Sequence, residues 1–200
     1  MSRDDLHGNV PDTAPTALLI IDMINEFSFP GAETMFPDVI SMAERLAMLK
    51  QRVKEAGFPV VYVNDNFGTW QSDFRKLVAR CLEEPGRGHE VTTCLRPEED
   101  DYFVLKPKHS GFYATPLELL LAYLKAGRLI LTGVAGNSCV LHTAADAYLR
   151  EFELVVPADC VLSTDKRANT AALEHMKTML KADVRPASES FPAKKTRSPH

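Results

Sequence analysis

Residues 130–140 read Ile-Leu-Thr-Gly-Val-Ala-Gly-Asn-Ser-Cys-Val, an apolar strand that breaks into small residues and delivers one cysteine, Cys139, to the start of a helix. Strand, turn and helix in that order define an α/β unit. They also set a thiol where the helix dipole and unpaired backbone N–H groups are expected to favour thiolate. The same N–H groups can hold an oxyanion. Free cysteine more often behaves as a small buried hydrophobe, so the rest of the chain decides whether Cys139 is a nucleophile or filler.

Two other segments share this form. Residues 17–27, Ala-Leu-Leu-Ile-Ile-Asp-Met-Ile-Asn-Glu-Phe, run apolar as far as Asp22, and residues 102–112, Tyr-Phe-Val-Leu-Lys-Pro-Lys-His-Ser-Gly-Phe, run apolar as far as Lys106. Both charges therefore end strands. Ligands of open α/β sheets bind beyond the carboxyl ends of the strands, so Asp22, Lys106 and Cys139 are expected to meet in one pocket. The competing interpretation of Asp22 and Lys106 is a buried ion pair without chemistry.

Further out, strand-like runs at 16–22, 58–64, 102–106, 128–133, 153–156 and 182–186 alternate with amphipathic ones. The alternation predicts a three-layer α/β/α fold around a mostly parallel, about six-stranded sheet. Helices are expected over 37–56, stopped by Gly57, and over 115–126, opened by Thr115-Pro116 with Glu118 for a capping box and closed by Gly127. Two more are expected over 137–150, behind Cys139, and 165–181. The stretch 83–101, with Pro85, Gly86, Gly88 and Pro97, has the composition of a long functional or interface loop. One domain is expected over 15–191, between polar tails at 1–14 and 192–200.

The three strand-end motifs, in this order and with Pro85-Gly86 ahead of the second, resemble the isochorismatase-like cysteine hydrolases. That superfamily includes nicotinamidases, N-carbamoylsarcosine amidases, ureidoacrylate amidohydrolases and biuret hydrolases. The resemblance runs from residue 16 to about residue 190 and departs at Glu26, where Asp is common, and at Gly136 and Ser138, where Thr and Val are common. It implies an isochorismatase-like, Rossmann-like fold and a catalytic set of Asp22, Lys106 and Cys139. It further implies a cis peptide bond between Val134 and Ala135, an oxyanion hole made by the N–H groups of Ala135 and Cys139, and a homo-oligomer, dimer or tetramer. The Val91–Pro97 stretch, with Phe67 and Trp70, offers a modest independent reason for assembly, as apolar area to cover.

The chemistry asks something different of each side chain. Cys139 must ionise to attack a carbonyl carbon, and Asp22 can take its proton and later return it to the leaving amine. Lys106 supplies a fixed positive charge that positions Asp22 and offsets developing negative charge. Asn25, Phe27, Asn66, Phe67, Trp70, His109, Phe112 and Val134 are expected to line the substrate pocket, with core or lid packing as the competing role for the aromatics. His142, one turn after Cys139, raises a Cys–His dyad, but a helix-borne histidine is poorly aimed at its own N-terminal turn. Cys81, Cys94 and Cys160 stand in no polar constellation and are expected to be structural.

Metal is expected to be absent. Nicotinamidases carry a metal on an Asp-x-His pair after the second strand, whereas here the segment is Asp65-Asn66-Phe67, and the next histidine is His89. A lone carboxylate cannot hold zinc, which wants three or four ligands. No cofactor is indicated.

Composition excludes several classes. The 200 residues are 45% hydrophobic and 25% charged, with 23 Lys and Arg against 27 Asp and Glu, a net charge of -4. That balance leaves no footprint for nucleic acid or an acidic membrane. Acids at Asp4 and Asp5 sit where a secretory signal needs an apolar core, and no run approaches the ~18 apolar residues of a membrane span. A cytoplasmic location is therefore expected, in keeping with four cysteines without C-x-x-C pairing. The expected function is metal-independent cleavage of a C–N bond in a small amide, ureido or carbamoyl compound through a thioester. The alternatives are an isochorismatase-type vinyl ether hydrolase, which needs no thiol, and a non-catalytic or thiol-sensing protein on the same fold.

Overall fold

Leucine-, isoleucine- and valine-rich runs build one sheet from β1 (Thr16–Ile21), β2 (Val60–Asp65), β3 (Tyr102–Lys106), β4 (Arg128–Val134), β5 (Glu153–Val155) and β6 (Val161–Leu162). The computed structural model describes residues 13–66, 73–83 and 85–191. Every strand pairing is parallel, in the order β3-β2-β1-β4-β5, with β6 beside the carboxyl end of β4. The helices are α1 (Ala32–Glu55), α2 (Phe74–Glu83), α3 (Arg87–Cys94), α4 (Leu117–Leu124), α5 (Leu141–Leu149), α6 (Lys166–Met179) and α7 (Ala187–Ser190).

Burial on both faces explains the unbroken apolar character of the central strands. Along β1, Leu18 and Ile20 enter one core with Val39, Met42, Leu46 and Val53 of α1. Ala17, Leu19 and Ile21 point the other way, into a second core with Leu121 of α4, Ala144 of α5 and Met176 of α6. No helix among the described residues is long and apolar enough to cross a membrane.

Several boundaries differ from the sequence expectation. The first helix begins at Ala32, not residue 37, because Ala32 and Met35 continue its buried stripe, and Pro37 lies inside it, where its missing N–H leaves one i→i−4 hydrogen bond unmade. The 115–126 helix is α4, and Glu118, expected to close a capping box, instead pairs with Arg150 at 2.7 Å. The sixth strand is Val161–Leu162, while the 182–186 run supplies a single bridge from Asp183 to Val155.

The largest correction concerns residues 83–101, which hold α3 in place of an open loop. Val91 and Leu95, four residues apart, are buried in the α1-side core, so their apolar surface is covered within the chain and offers nothing to a second copy. At the other end of α3, Arg87 Nε donates to the Phe27 carbonyl at 2.8 Å. A Cβ on Gly88 would lie 2.7 Å from the Asn25 carbonyl oxygen, so glycine is what lets the helix rest on that loop. Beyond Leu95 the chain is tied by charge, with the buried Lys50 ammonium 2.6 Å from Asp101 and 3.0 Å from Glu98.

Candidate active site

Strand order reverses between β1 and β4, and that switch point opens a crevice at the carboxyl end of the sheet. Asp22 follows β1, Asp65 ends β2, Lys106 ends β3, and Cys139 follows β4. Gly133 allows the closest approach of the two central strands. At its φ of 110°, a Cβ would stand 2.0 Å from the Ile21 carbonyl oxygen, one residue before Asp22.

After β4 the chain makes a π-helical turn, Gly136–Val140, before α5, so the single helix expected over 137–150 has two parts. The Val134–Ala135 peptide bond is cis. The Ala135 carbonyl accepts from both the Ser138 and Val140 N–H groups, and Asn137 N–H donates to Ser163 Oγ at 3.1 Å. Ser163 Oγ in turn donates to Asn169 Oδ1 at 2.9 Å. Gly136 lies so close to Asn169 that a Cβ would meet its Oδ1 at 2.2 Å. Ser163 and Asn169 thus brace the turn that carries Cys139, and only their distance along the chain concealed them in the sequence.

The three expected groups come together. The Asp22 carboxylate takes the Asp65 backbone N–H at 2.7 Å, the Lys106 ammonium at 2.8 Å and the Cys139 thiol. Lys106 Nζ, wholly buried, also lies 3.4 Å from Cys139 Sγ and 3.5 Å from Asp65 Oδ2. Burial raises the Asp22 carboxyl above its ordinary range despite Lys106 and the hydrogen bonds that oppose it. Burial pulls the other way on Lys106, but the charges of Asp22, Cys139 and Asp65 outweigh it and hold the ammonium above its ordinary value.

Cys139 overturns the expectation of a ready thiolate. Burial first, and then the Asp22 charge, push the thiol up to about 11, against the pull of Lys106. The resting site is therefore a thiol hydrogen-bonded to a carboxylate, and the position at a helix start does not prevail over a dry setting beside an acid.

Cys139 opens on a cavity of 460 Å³ lined by Asp22, Asn25, Phe29, Met35, Asp65, His109, Val134, Ala135, Ser138 and Thr164. Of the expected pocket residues, Asn25, His109 and Val134 line it, and Asn25 Oδ1 also caps the Phe27 N–H at 2.8 Å. His109 Nδ1 lies 3.9 Å from Cys139 Sγ. Phe27 does not line the pocket: it is fully buried against Phe29 and Phe36 on the α1 side. Phe112 packs under Arg150 and against Phe152 in the opposite core, and Asn66 is buried, its N–H bonded to the Lys106 carbonyl. Phe67 and Trp70 fall outside the described residues. His142 bonds the Ser138 carbonyl and stacks near His109, with ring centroids 5.4 Å apart, so it does not reach the thiol as a dyad would require. Ser138, marked in sequence as a departure from the family pattern, also lines the pocket, while Phe29, Met35 and Thr164 carry no mark in their own segments.

The described residues beside β2 do not fit a metal. The Asp65 carboxylate is turned to Lys106, and no group of three His, Cys, Asp or Glu among the described residues is arranged around a common ion position.

A doubly wound parallel sheet with a buried thiol, carboxylate and ammonium at its switch point is the architecture of an α/β enzyme. The isochorismatase domain model matches residues 16–187, and the chain belongs to the isochorismatase family of hydrolases. It is 40% identical to the isochorismatase family protein YaaI of Bacillus subtilis over 86% of this chain and 93% of that one. It is 28% identical to the ureidoacrylate amidohydrolase RutB of Methylorubrum extorquens, over 74% of this chain and 70% of RutB. The crystal structure of N-carbamoylsarcosine amidase from Thermoplasma acidophilum superposes with a TM-score of 0.68 at 29% identity, covering 88% of this chain and 98% of that one.

Proposed function

We propose that this protein hydrolyses the C–N bond of a small amide, ureido or carbamoyl compound by covalent catalysis at Cys139, without a metal. The observation that carries the proposal is the single hydrogen-bonded unit of Cys139, Asp22 and Lys106 beneath a cavity sized for a small molecule. In this reading Asp22 takes the thiol proton as Sγ bonds to the carbonyl carbon. The resulting oxyanion sits against the N–H groups of Ala135 and Cys139. Asp22 passes the proton to the leaving nitrogen, the C–N bond breaks, and a thioester remains on Cys139. Asp22 then deprotonates a water that attacks the thioester, and the departing sulfur recovers its proton from Asp22. Lys106 holds Asp22 in place and keeps a positive charge beside the sulfur throughout.

Similarity to amidohydrolases supports the bond class, and the thiol within reach of its base supports the covalent route. The test is a panel of small amides, ureides and carbamoyl compounds with ammonia detection, repeated with Cys139→Ala. We expect hydrolysis by the wild type, an acyl adduct on the Cys139 peptide in quenched reactions, and a variant that folds but loses several orders of magnitude in rate. A folded Cys139→Ala enzyme keeping more than ~10% of the wild-type rate overturns the covalent mechanism. We also propose a closed homo-oligomer. Leu119 and Leu149, exposed on neighbouring helices joined by the Glu118–Arg150 pair, give it apolar surface to cover.

A further inference from the structure

The charges around Cys139 narrow the substrate, on the reading that this cysteine is the nucleophile. No lysine or arginine lines the cavity among the described residues, and Lys106, buried 3.4 Å from Cys139 Sγ, is held by Asp22 at 2.8 Å and Asp65 at 3.5 Å. The nearby arginines are engaged elsewhere, Arg80 with Glu26 and Arg87 with the Phe27 carbonyl. Asp22, Asp65 and Lys106 sum formally to one negative charge, and transfer of a proton from Cys139 to Asp22 leaves the total unchanged. The remaining wall is apolar at Phe29, Met35, Val134 and Ala135, with neutral polar groups at Asn25, Ser138 and Thr164.

We infer that this site takes an uncharged carboxamide or carbamoyl compound with a compact apolar substituent and rejects analogues that carry a carboxylate close to the scissile bond. A carboxylate there would face two acids in a partly dry cavity whose described lining offers no ammonium or guanidinium to pair with, Lys108 beside His109 being exposed and not among the lining side chains. An apolar substituent loses nothing by leaving water and covers Phe29, Met35 and Val134. Apart from the neutral donors of Asn25, Ser138 and Thr164, His109 is the one lining side chain on which an anion could call.

Iodoacetamide and iodoacetate test this without turnover, since they differ in size hardly at all and in charge by one. The Cys139 peptide, followed by mass spectrometry, should show an iodoacetamide to iodoacetate rate ratio at least tenfold above that of glutathione under the same conditions. Thr164→Lys, which puts a cation on the exposed rim, should bring that ratio down several-fold. In parallel, kcat/KM for butyramide should exceed that for succinamic acid, its carboxylate analogue, by at least tenfold. A Cys139 ratio no greater than glutathione's, a folded Thr164→Lys protein with an unmoved ratio, or faster hydrolysis of succinamic acid overturns the inference. Charge-selective alkylation with no hydrolysis of any amide, ureide or carbamoyl compound would instead overturn the proposed activity and leave the electrostatic inference standing.

Discussion

Replacing Asp22 by asparagine preserves the size of the side chain and its acceptance of the Asp65 N–H, and removes the carboxylate that touches the Cys139 thiol. With that thiol pushed up to about 11, roughly one Cys139 in a thousand is thiolate at pH 8. On the proposed mechanism the wild type works around this scarcity by moving the proton to Asp22 during attack. In Asp22→Asn, burial still disfavours the thiolate, but the negative charge and the hydrogen bond that also disfavour it are gone, while Lys106 remains. Two consequences then separate. The inflection in the pH profile of iodoacetamide labelling should move down from about 11, so that labelling at pH 8 speeds up by as much as about tenfold. Turnover should fall by about 10²–10⁴, because neither the attacking thiol nor the leaving amine retains its proton partner. Labelling rates and kcat/KM measured on one preparation across pH 6–11 check both. A variant whose labelling slows along with its turnover would refute the charge argument. One that keeps wild-type turnover with an unchanged pH profile would move the base elsewhere, with His109 the nearest imidazole.

Lys106→Met should strand the Asp22 and Asp65 carboxylates without their shared cation and cost about 3–5 kcal/mol in urea denaturation; a loss below about 1 kcal/mol would show that the ammonium is not holding them. Exhaustive dialysis against a chelator should leave activity unchanged, since the Asp65 carboxylate faces Lys106, and a rate that collapses and returns with zinc, iron or manganese would defeat the metal-independent reading. Light scattering at micromolar concentration should give twice or four times the chain mass, and the mass of a single chain would refute assembly.

The strands that position the chemistry were legible because burial on both faces demands long apolar runs, and such runs end visibly at Asp22, Lys106 and Cys139. Helices α2 and α3 were not, although Phe74, Leu77 and Cys81, and Val91 with Leu95, recur at helical spacing. Prolines and glycines at 85, 86 and 88 masked that signal, and the reason for Gly88 lies in a contact with Asn25 that no local pattern contains. The same limit applies in the pocket. Phe27 and Phe112 stand near Asp22 and Lys106 in sequence, yet proximity along the chain does not say which layer a side chain enters, and both enter the cores. The ionisation of Cys139 was misjudged for a related reason. A helix start is visible in sequence, whereas the Asp22 charge that helps raise the thiol comes from a residue more than a hundred positions earlier, and its burial comes from the assembled fold.

Asp65 lies directly across from Lys106 in the β2–β3 ladder, and Ile21, just before Asp22, is matched with Val63 on one side and Gly133 on the other. Sliding a strand by one residue turns all its side chains to the opposite layer. In β3 such a slip would put Leu105 or Pro107 where the ammonium belongs. Molecules assembled in that way would keep much of their ladder and all of their helices, and would look native to circular dichroism while being inert. Specific activity therefore counts correctly registered molecules, and during refolding it should lag behind every spectroscopic measure of secondary structure.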